Sequence, residues 1–429
     1  MAVLGVVIWH CVAGQIAGAA IVPVVDASSL ISAVNNATAG DVISLAPGIY
    51  DITGNINCDN PGTAGAPIVV RSAQLGDAVL RFDAIEGFKV SAPYWVFENL
   101  EIQGVCDTHS ECEHGFHLFG AADFTTIRHC QMREYNAAIK SNGGNVGDDF
   151  VFPDDVLVEF NQFFNSTVRI TSNPVTPIDV VGGRRWIVRA NHIADFGKGA
   201  GNGISYAAFL KGNSKAGLFE RNLVICERAH TGGIRLGLSF GGGGSGPPSI
   251  CEEGTCTTEH ESGVMRNNII VNCPDDVGIY LNEALNVKIL NNTIYNTTGI
   301  DVRFAASVAE LRNNILSGAI RERDGGSITP GTNLTNVSDS EFRSWFLDPD
   351  SADFFLLDGT SIVDLGENLA DVPDDFCANQ RDDGTNDLGA VEYDGDGSCD
   401  TTLAGGGYLQ IFSDEFESGN TLFWSSSAP

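Results

Sequence analysis

The sequence predicts an all-β chain, a right-handed parallel β-helix solenoid that starts with a capping helix. The main observation is a short segment of alternating apolar residues that closes on Asn or a stand-in and recurs as WVFENLEI, TIRHCQM, LVEFNQFF, IVRANHIA, LFERNLVI, VMRNNIIV, VKILNNTIY and AELRNNIL. The Asn or stand-in residues that close these segments are called anchors below, and the last three, Asn268, Asn292 and Asn314, are 24 and 22 residues apart. A repeat of this length matches one coil of a parallel β-helix.

The anchor positions predict a ladder of side chains between successive coils. An Asn amide at the bend after each strand can bond the backbone of the next coil, so a structural role is favoured over a catalytic one. Longer intervals earlier in the chain, and the insertion GGGGSGPPSICEEGTC, predict loops that project from one face. The anchors are Asn99, His129, Asn161, Asn191, Asn222, Asn268, Asn292 and Asn314.

The segment before the repeats predicts the cap. SSLISAVNNATAGDVISLAPGIYDI reads as a short amphipathic helix, a Gly-Asp turn and a first strand. A helix at this point covers the open end of the stack, which otherwise presents unpaired strand edges.

The N-terminal segment predicts export. Residues 1–19 are apolar and end in small residues, with Ala17 and Ala19 at the −3 and −1 positions of a signal-peptidase site. The lack of Lys or Arg near the start leaves an uncleaved anchor as the alternative. We expect a β-helix domain over 20–394 and an acidic, Gly-rich linker and tail over 395–429. The protein is expected to be a monomer that is secreted or held at the cell surface, with the periplasm as the alternative location, and without membrane contact after cleavage.

Ten cysteines remain once Cys11 leaves with the signal, an even set that predicts disulfides in an oxidising compartment. A zinc site is disfavoured because no CxxC pair is present. The close spacings favour pairing of Cys106 with Cys112, Cys251 with Cys256, and Cys377 with Cys399.

The net charge of −31 argues against nucleic acid or an anionic membrane as the partner, because a field of that sign repels both. Against this background, the pattern Gly/Ala-apolar-X aligns one outward position of successive coils, and five of its seven members are basic or become so on protonation. Such a stripe predicts a track for an acidic polysaccharide, and a solvated face with internally paired charges is the alternative. The column reads His117, Lys140, Arg169, Lys211, Arg235, Tyr280 and Asp301.

Lys and Arg on such a track can cleave a uronate polymer by β-elimination, which requires a base, neutralisation of the carboxylate and a proton for the leaving oxygen. In FLKGNSKAGLFERNLVICERAHTGGIRLG, Lys211 and Arg235 are one coil apart, so we expect them to be adjacent, with Lys211 as base and Arg235 stabilising the enolate. Substrate contacts are predicted for His117, Lys140, Arg169, His230, Tyr280 and Arg303.

The run from Lys211 to Arg235 resembles the corresponding run of polysaccharide lyase family six, the alginate lyase and chondroitinase B group. The early segments AVNNATAGDVISLAPGIYDITG and GTAGAPIVVRSA are similar to the start of that family and of the wider pectate-lyase-like superfamily. The resemblance implies a right-handed β-helix, a Lys base with an Arg partner, and a calcium ion that neutralises the substrate carboxylate.

Calcium is the one cofactor that the sequence raises. The resembled family places acidic ligands a few residues before its Lys, whereas GISYAAFLK has no carboxylate. Asp179 and Asp195 are alternative ligands, or Arg169 and His230 neutralise the substrate without metal. A second candidate site is the alternating acidic stretch with Asp394, Asp396 and Asp400, for which a solvated linker is the alternative.

Other functions stay open. Asp275 and Asp276 in PDDVGIY would suit a glycoside hydrolase, but a polar turn is favoured because no further acid pattern accompanies them. A non-catalytic surface or matrix protein could use the same stripe to hold an acidic glycan. Near Cys106 and Cys112, a disulfide-closed loop with surface histidines is favoured over a metal site for His109, His114 and His117.

Overall fold

The computed structural model describes residues 20–357, 359–382, 384–393 and 399–404, and it consists of three long parallel sheets. Sheet 1 has 12 strands, and sheets 2 and 3 have 10 each. Each coil passes through sheet 1, sheet 2 and sheet 3 in turn, so every strand pairs with its equivalents in the coils before and after it. No helix in these described ranges is long and apolar enough to cross a membrane.

The strands of each sheet follow one another in coil order. Sheet 1 contains Ile21–Val24, Val42–Leu45, Ile68–Ser72, Trp95–Glu98, Thr126–Arg128, Leu157–Glu159, Ile187–Arg189, Leu218–Glu220, Val264–Arg266, Val287–Leu290, Val308–Arg312 and Ser327–Pro330. Sheet 2 contains Gly48–Ile52, Ala78–Phe82, Glu101–Gly104, Gln131–Arg133, Gln162–Phe164, His192–Ala194, Leu223–Ile225, Ile269–Cys273, Thr293–Thr297 and Ile315–Leu316. Sheet 3 contains Ile56–Cys58, Glu86–Val90, His114–Phe119, Ala137–Asn142, Ile178–Val181, Ile204–Lys211, Ile234–Phe240, Ile279–Asn282, Gly299–Arg303 and Ala319–Arg323.

Shorter elements decorate this stack. Two α-helices, α1 (Ala27–Asn35) and α2 (Asp339–Trp345), flank the repeats, and the 3-10 turns are Pro248–Ile250, Glu252–Gly254 and Pro349–Ser351. Two antiparallel hairpins pair Gly144–Val146 with Asp149–Val151 and Phe346–Asp348 with Asp353–Leu356. A small parallel sheet joins Ser214–Lys215, His260–Glu261 and Ala284–Leu285.

The predicted N-terminal cap is confirmed in α1. Asp26 caps its first turn by accepting the Ser29 backbone N–H at 2.7 Å, and the Ser29 side chain returns a bond to the Asp26 backbone. Leu30 and Val34 are fully buried on the helix face that packs against the first coils. The helix therefore shields the apolar end of the stack from water.

The predicted Asn ladder is confirmed from Asn161 onward. The Asn191 side-chain oxygen accepts from the backbone N–H of Asn161 at 3.0 Å and from its side-chain amide at 3.0 Å, and the same pair of bonds recurs up the stack. Asn333 extends the ladder by one coil. The ladder residues are Asn161, Asn191, Asn222, Asn268, Asn292, Asn314 and Asn333.

Two of the predicted anchors are wrong by one position. Asn99 and His129 have positive φ angles of 57° and 51°, the conformation that Phe160 adopts in the next coil. Phe160 immediately precedes the ladder residue Asn161, so the ladder position of the earlier coil falls to Cys130, whose backbone N–H donates to Asn161. A bend needs one residue in the left-handed region, and Asn favours that position as well as the ladder, so the sequence does not separate the two.

The outer face of sheet 1 carries a column in which Arg and Glu alternate from coil to coil. The Arg128–Glu98 and Arg266–Glu220 pairs are 2.7 Å and 2.6 Å long. Opposite charges on neighbouring strands stabilise a sheet, so these cations are used within the fold. The column reads Arg71, Glu98, Arg128, Glu159, Arg189, Glu220 and Arg266.

The C-terminal segment packs across the outside of sheet 2. Phe342, Phe354 and Phe376 are fully buried in a second apolar cluster that includes Leu223 and Ile269 of that sheet. Cys399 and Ala404 also lie in this cluster, so described residues beyond 394 pack on the β-helix. The predicted boundary after residue 394 stays a prediction, and the predicted signal peptide lies outside the described residues.

The disulfide predictions are confirmed. Bonds join Cys106 to Cys112, Cys251 to Cys256, and Cys377 to Cys399. A fourth bond, which the spacings did not indicate, joins Cys226 to Cys273 across adjacent coils. Cys58 and Cys130 are buried free thiols.

Candidate functional site

The outer face of sheet 3 is flanked by the longest connections in the chain. Insertions over 105–113, 165–177, 195–203 and 226–233 precede its strands, and segments 143–156 and 241–263 follow them. Loops placed on both sides of a regular sheet are the usual carriers of binding and catalytic groups. We therefore take the outward-facing side chains of sheet 3, called the sheet-3 face below, as the candidate site.

Strand pairing fixes the central column of this face. The predicted alignment is correct for His117, Lys140, Tyr280 and Asp301. Asp179, Phe209 and Ser239 fill the coils between Lys140 and Tyr280. The complete column reads Asn57, Lys89, His117, Lys140, Asp179, Phe209, Ser239, Tyr280, Asp301 and Arg321.

The predicted adjacency of Lys211 and Arg235 is wrong. Arg235 pairs in register with Ser205, six residues before Lys211 on the same strand, which puts the two cations about 20 Å apart along the sheet. The strands Ile204–Lys211 and Ile234–Phe240 are longer than the others of this sheet, so the tripeptides FLK and GIR fall at opposite ends of them.

Arg235 serves the packing of the turn before its strand. Its side chain is 1% exposed, and its guanidinium donates to the carbonyls of Cys226 and Gly232 and contacts His230 Nδ1 at 2.9 Å. Gly197 packs opposite, where an added Cβ would lie 2.7 Å from the guanidinium. The catalytic role of Arg235 stays a prediction, without the adjacency on which it was based.

Arg169 also lies away from the predicted column. It is 2% exposed and donates to Asn136 Oδ1 at 3.0 Å and to the His109 carbonyl at 3.1 Å, and Glu134 is 3.6 Å away. These bonds join three neighbouring loops. His230 likewise joins loops through Arg235 and the Asn165 carbonyl, so substrate contact by Arg169 or His230 stays a prediction.

His117 lies between two oxygen acceptors on the sheet-3 face. Its Nδ1 is 2.6 Å from Glu86 Oε1 and its Nε2 is 2.8 Å from Asn142 Oδ1. The Asn142 amide donates to the Gly143 carbonyl, which orients its oxygen toward the ring. Both ring nitrogens therefore have an oxygen partner, which fixes the orientation of the imidazole on this face.

The expectation of surface histidines near the first disulfide is wrong for His114 and His117. Both belong to the sheet-3 strand His114–Phe119 instead of the loop that Cys106 and Cys112 close. Burial lowers the pKa of His114 to about 4, and the neighbouring His117 and Lys140 act in the same direction. His114 is therefore neutral at neutral pH.

The His117–Glu86 bond gives a testable pH dependence. The hydrogen bond from His117 lowers the pKa of Glu86 from 4.5 to about 2, so its contribution to stability is complete above pH 4.5 and is lost as the pH falls from 4.5 to 2. We expect Glu86→Gln to lower the free energy of unfolding at neutral pH and the difference from the wild type to shrink through that interval. Urea unfolding at a series of pH values measures this, and a difference that does not change with pH would contradict it.

Lys211 differs from every other lysine and arginine on the sheet-3 face. Lys89 pairs with Glu86, Lys140 with Asp179 at 2.7 Å, Arg303 with Asp324, and both Arg321 and Arg323 with Asp301. Among the described residues of this face, Lys211 is the one such cation without an ion pair within 4.0 Å.

The surroundings of Lys211 favour its neutral form. Burial lowers the pKa of its amine, Asp179 opposes the shift, and the neighbouring Lys140 reinforces it. The amine donates to the Gly244 carbonyl at 3.0 Å and lies 4.9 Å from the centre of the Phe209 ring. A half-buried lysine with a lowered pKa is suited to act as a general base.

Aromatic rings lie beside Lys211 and in the coils that follow it. The Phe209 and Tyr206 rings meet edge-on with centroids 5.5 Å apart, and Tyr280 lies 6.5 Å from Tyr206. Arg303 donates to the Tyr280 hydroxyl at 3.4 Å. The predicted residues Tyr280 and Arg303 thus lie together on this face, two and three coils beyond the coil of Lys211.

The described residues offer no cluster of acidic side chains for a calcium ion. They contain no group of three or more His, Cys, Asp or Glu placed to hold a metal. Asp179 is engaged by Lys140, and Asp195 is buried and accepts backbone N–H groups of Arg228 and Ala229.

The second predicted calcium site is only partly visible. Asp394 and Asp396 lie outside the described residues, and Asp400 accepts bonds from Thr402. Calcium stays a prediction, and no catalytic step below depends on it. Asp275 and Asp276 lie in the turn before the strand Ile279–Asn282, the arrangement that was favoured for them.

Several residues of the site were not predicted to lie on this face, and Asp179 was named only as an alternative calcium ligand. Asp179, Phe209, Glu86 and Asn142 all lie on or beside the column, yet none carries the Gly/Ala-apolar-basic signal. Once the coils are aligned by their strands, Asp179 and Phe209 appear at the column position directly. Aligning the coils by their strands would therefore have predicted both residues at the column position.

The fold can be compared with known proteins. Among solved structures, pectate lyase Pel9A matches with 16% sequence identity and a TM-score of 0.57, over 84% of this chain and 90% of that one. The chain has the right-handed parallel β-helix fold of Pel9A. This confirms the predicted fold class.

Two further structures are similar at lower scores. An alginate lyase from Paenibacillus sp. str. FPU-7 matches with 16% identity and a TM-score of 0.44, over 73% of this chain and 99% of that one. A PL6 family polysaccharide lyase from Pseudopedobacter saltans matches with 15% identity and a TM-score of 0.43, over 75% and 94%. No family model and no curated protein sequence matches this chain.

Proposed function

We propose that this protein is a secreted polysaccharide lyase that cleaves an acidic, uronate-containing polymer by β-elimination on the sheet-3 face. The observation that carries the proposal is Lys211, a half-buried lysine without an ion pair in the described residues and with a lowered pKa. The likeness to Pel9A supports the fold on which the proposal rests.

The proposed reaction uses Lys211 as both base and acid. The neutral amine takes the proton from C5 of the uronate, and the electron pair of that C–H bond forms the C4–C5 double bond as the C4–O bond breaks. The Lys211 ammonium then returns a proton to the leaving oxygen, so the enzyme ends in its starting state. Lys140, whose charge acts on the Lys211 amine, offsets the charge of the substrate carboxylate. His117 lies three coils away from Lys211 and is placed to contact another sugar of the polymer.

The proposed location and partners follow the same reasoning. Four disulfides support an oxidising compartment, so we propose export of the chain and action outside the cell on a polysaccharide. A monomer is sufficient, because every residue invoked lies on one chain.

A non-catalytic glycan-binding protein is the second candidate. The observation that favours it is the pairing of the other sheet-3 cations with carboxylates, which weakens the field that would draw in a polyanion. Such a protein binds the polymer without creating new unsaturated ends.

The test is to incubate the purified full chain with alginate, polygalacturonate and chondroitin sulfate while following the ultraviolet absorbance of the new C4–C5 double bond. Binding of each polymer is measured in parallel. We expect absorbance to rise with one polymer class, and the same preparation should bind that class. Binding to a polymer without any rise in absorbance would overturn the lyase proposal in favour of the second candidate.

A further inference from the structure

Residues 241–245, called the glycine strap below, follow the sheet-3 strand Ile234–Phe240 and run back over the site. The strap begins with four consecutive glycines, and Gly241, Gly242 and Gly244 have φ angles of +103°, +50° and +82°. These conformations are accessible to glycine at little cost. Glycine at these positions leaves more backbone conformations open to the strap than any other residue would.

Polar side chains of the sheet-3 face hold the strap down. Asn282 donates to the Gly242 carbonyl at 2.8 Å, and the Gly242 N–H donates to Ser239 Oγ at 3.0 Å. Lys211 donates to the Gly244 carbonyl at 3.0 Å. The Ser245 N–H, at the end of the strap, donates to Glu259, which is itself buried. The proposed base is thus one of the residues that hold the strap.

The strap covers an aromatic ring that would otherwise face outward. Phe209 occupies the central column of the sheet-3 face, but it is only 4% exposed. A Cβ added to Gly242 would lie 3.0 Å from the Phe209 ring, so the strap backbone rests directly on the ring. Lys211 lies beside the same ring.

We propose that the glycine strap is a lid, that an incoming polysaccharide displaces it, and that the uncovered Phe209 ring then forms the floor of a sugar-binding subsite beside Lys211. This inference rests on the proposed function, because it assigns the strap to the same catalytic face. It adds a subsite that recognises the apolar face of a sugar ring in addition to its carboxylate.

The contacts of the strap are ones that a sugar can replace. Hydroxyl groups accept from Asn282 and Lys211 as a backbone carbonyl does, and the C–H face of a pyranose packs on an aromatic ring as Gly242 does. Displacing the strap also frees the Lys211 amine from the Gly244 carbonyl. The base therefore becomes available only where substrate is present.

Hydrogen exchange of the strap amides tests the lid directly, with the full chain alone and with the polymer that it binds. We expect polymer to speed exchange at Gly242 and Ser245, because their amide bonds to Ser239 and Glu259 are given up when the strap lifts. Without polymer, Asn282→Ala should speed exchange at both amides by about five- to tenfold, since one anchoring bond is removed. Asn55→Ala is the matched control, because Asn55 is exposed and bonds only Asn57.

The outcomes separate the lid from the lyase. Faster strap exchange with bound polymer but no cleavage supports the lid and overturns the lyase. Cleavage with unchanged or slower strap exchange overturns the lid alone, as does an Asn282→Ala variant that exchanges like Asn55→Ala. Phe209→Leu should weaken polymer binding by about two- to tenfold, through loss of the aromatic contact. A chain that binds none of the polymers overturns both proposals.

Discussion

Replacing Lys211 with Ala is expected to lower kcat for polymer cleavage by about 10²- to 10⁴-fold, the range typical of losing a general base. Binding should change much less, since Lys140 remains to contact the carboxylate and His117 remains to contact another sugar of the polymer. The measurement is the initial rate of ultraviolet absorbance at saturating polymer, together with direct binding of the same polymer.

Two further variants separate a base from a mere cation. Lys211→Arg keeps the positive charge but stays protonated at any working pH, so binding should be retained and cleavage should not return. Lys215→Ala is the matched control, because Lys215 pairs with Glu253 in the loop beyond the sheet-3 face. The Lys215→Ala variant should cleave the polymer at the normal rate. A Lys211→Arg variant that still cleaves would show that Lys211 acts through its charge and that another group takes the proton.

The pH profile adds a third observation about the same residue. Burial lowers the pKa of Lys211, so the fraction of neutral amine rises with pH through that lowered value. The rate of cleavage should rise with pH in the same way and level off once the amine is neutral. A rate that falls with rising pH would indicate a required protonated group instead.

The sequence predicts the coils well because the ladder repeats a single physical requirement. Each bend needs a buried side chain that bonds both the coil below and the coil above. Asn191 and Asn222 both meet this requirement with the backbone N–H, the side-chain amide and the side-chain oxygen. The capping helix is predictable for a similar reason, since its apolar face and its Asp26 cap are local features.

The sheet-3 face is less predictable because its register depends on strand length. The strands Ile204–Lys211 and Ile234–Phe240 have 8 and 7 residues, whereas the neighbouring Ile178–Val181 and Ile279–Asn282 have 4 each. A tripeptide pattern cannot show where in a long strand it falls. This is why Lys211 lies two residues beyond the central column, whose place is taken by Phe209.

Burial also separates residues that look alike in sequence. Arg169 and Arg235 read as outward-facing cations, yet loops that close over them leave each at most 2% exposed. Their guanidinium groups bond backbone carbonyls that would otherwise be buried without donors. The length of the insertions is visible in the sequence, but the direction in which they fold is not.

A large loss of stability is expected when a residue of the Asn ladder is replaced. Asn222 is fully buried, and its side chain donates to Val188 O and Asn268 Oδ1 while accepting from the backbone and the side chain of Asn191. Asn222→Ala leaves these partners buried without bonds, so we expect a loss of about 3–5 kcal/mol in the free energy of unfolding. Urea unfolding followed by circular dichroism measures it.

Asn55→Ala is the control for this variant as well, because removing an exposed amide should change stability by less than about 0.5 kcal/mol. Asn222→Asp is a sharper test of the mechanism. It keeps an acceptor for Asn191 but puts a carboxylate oxygen against the Val188 carbonyl, so it should also be strongly destabilising. If Asn222→Asp were as stable as the wild type, the amide donor would contribute nothing, and the ladder would stabilise the stack only through the bonds that Asn191 donates.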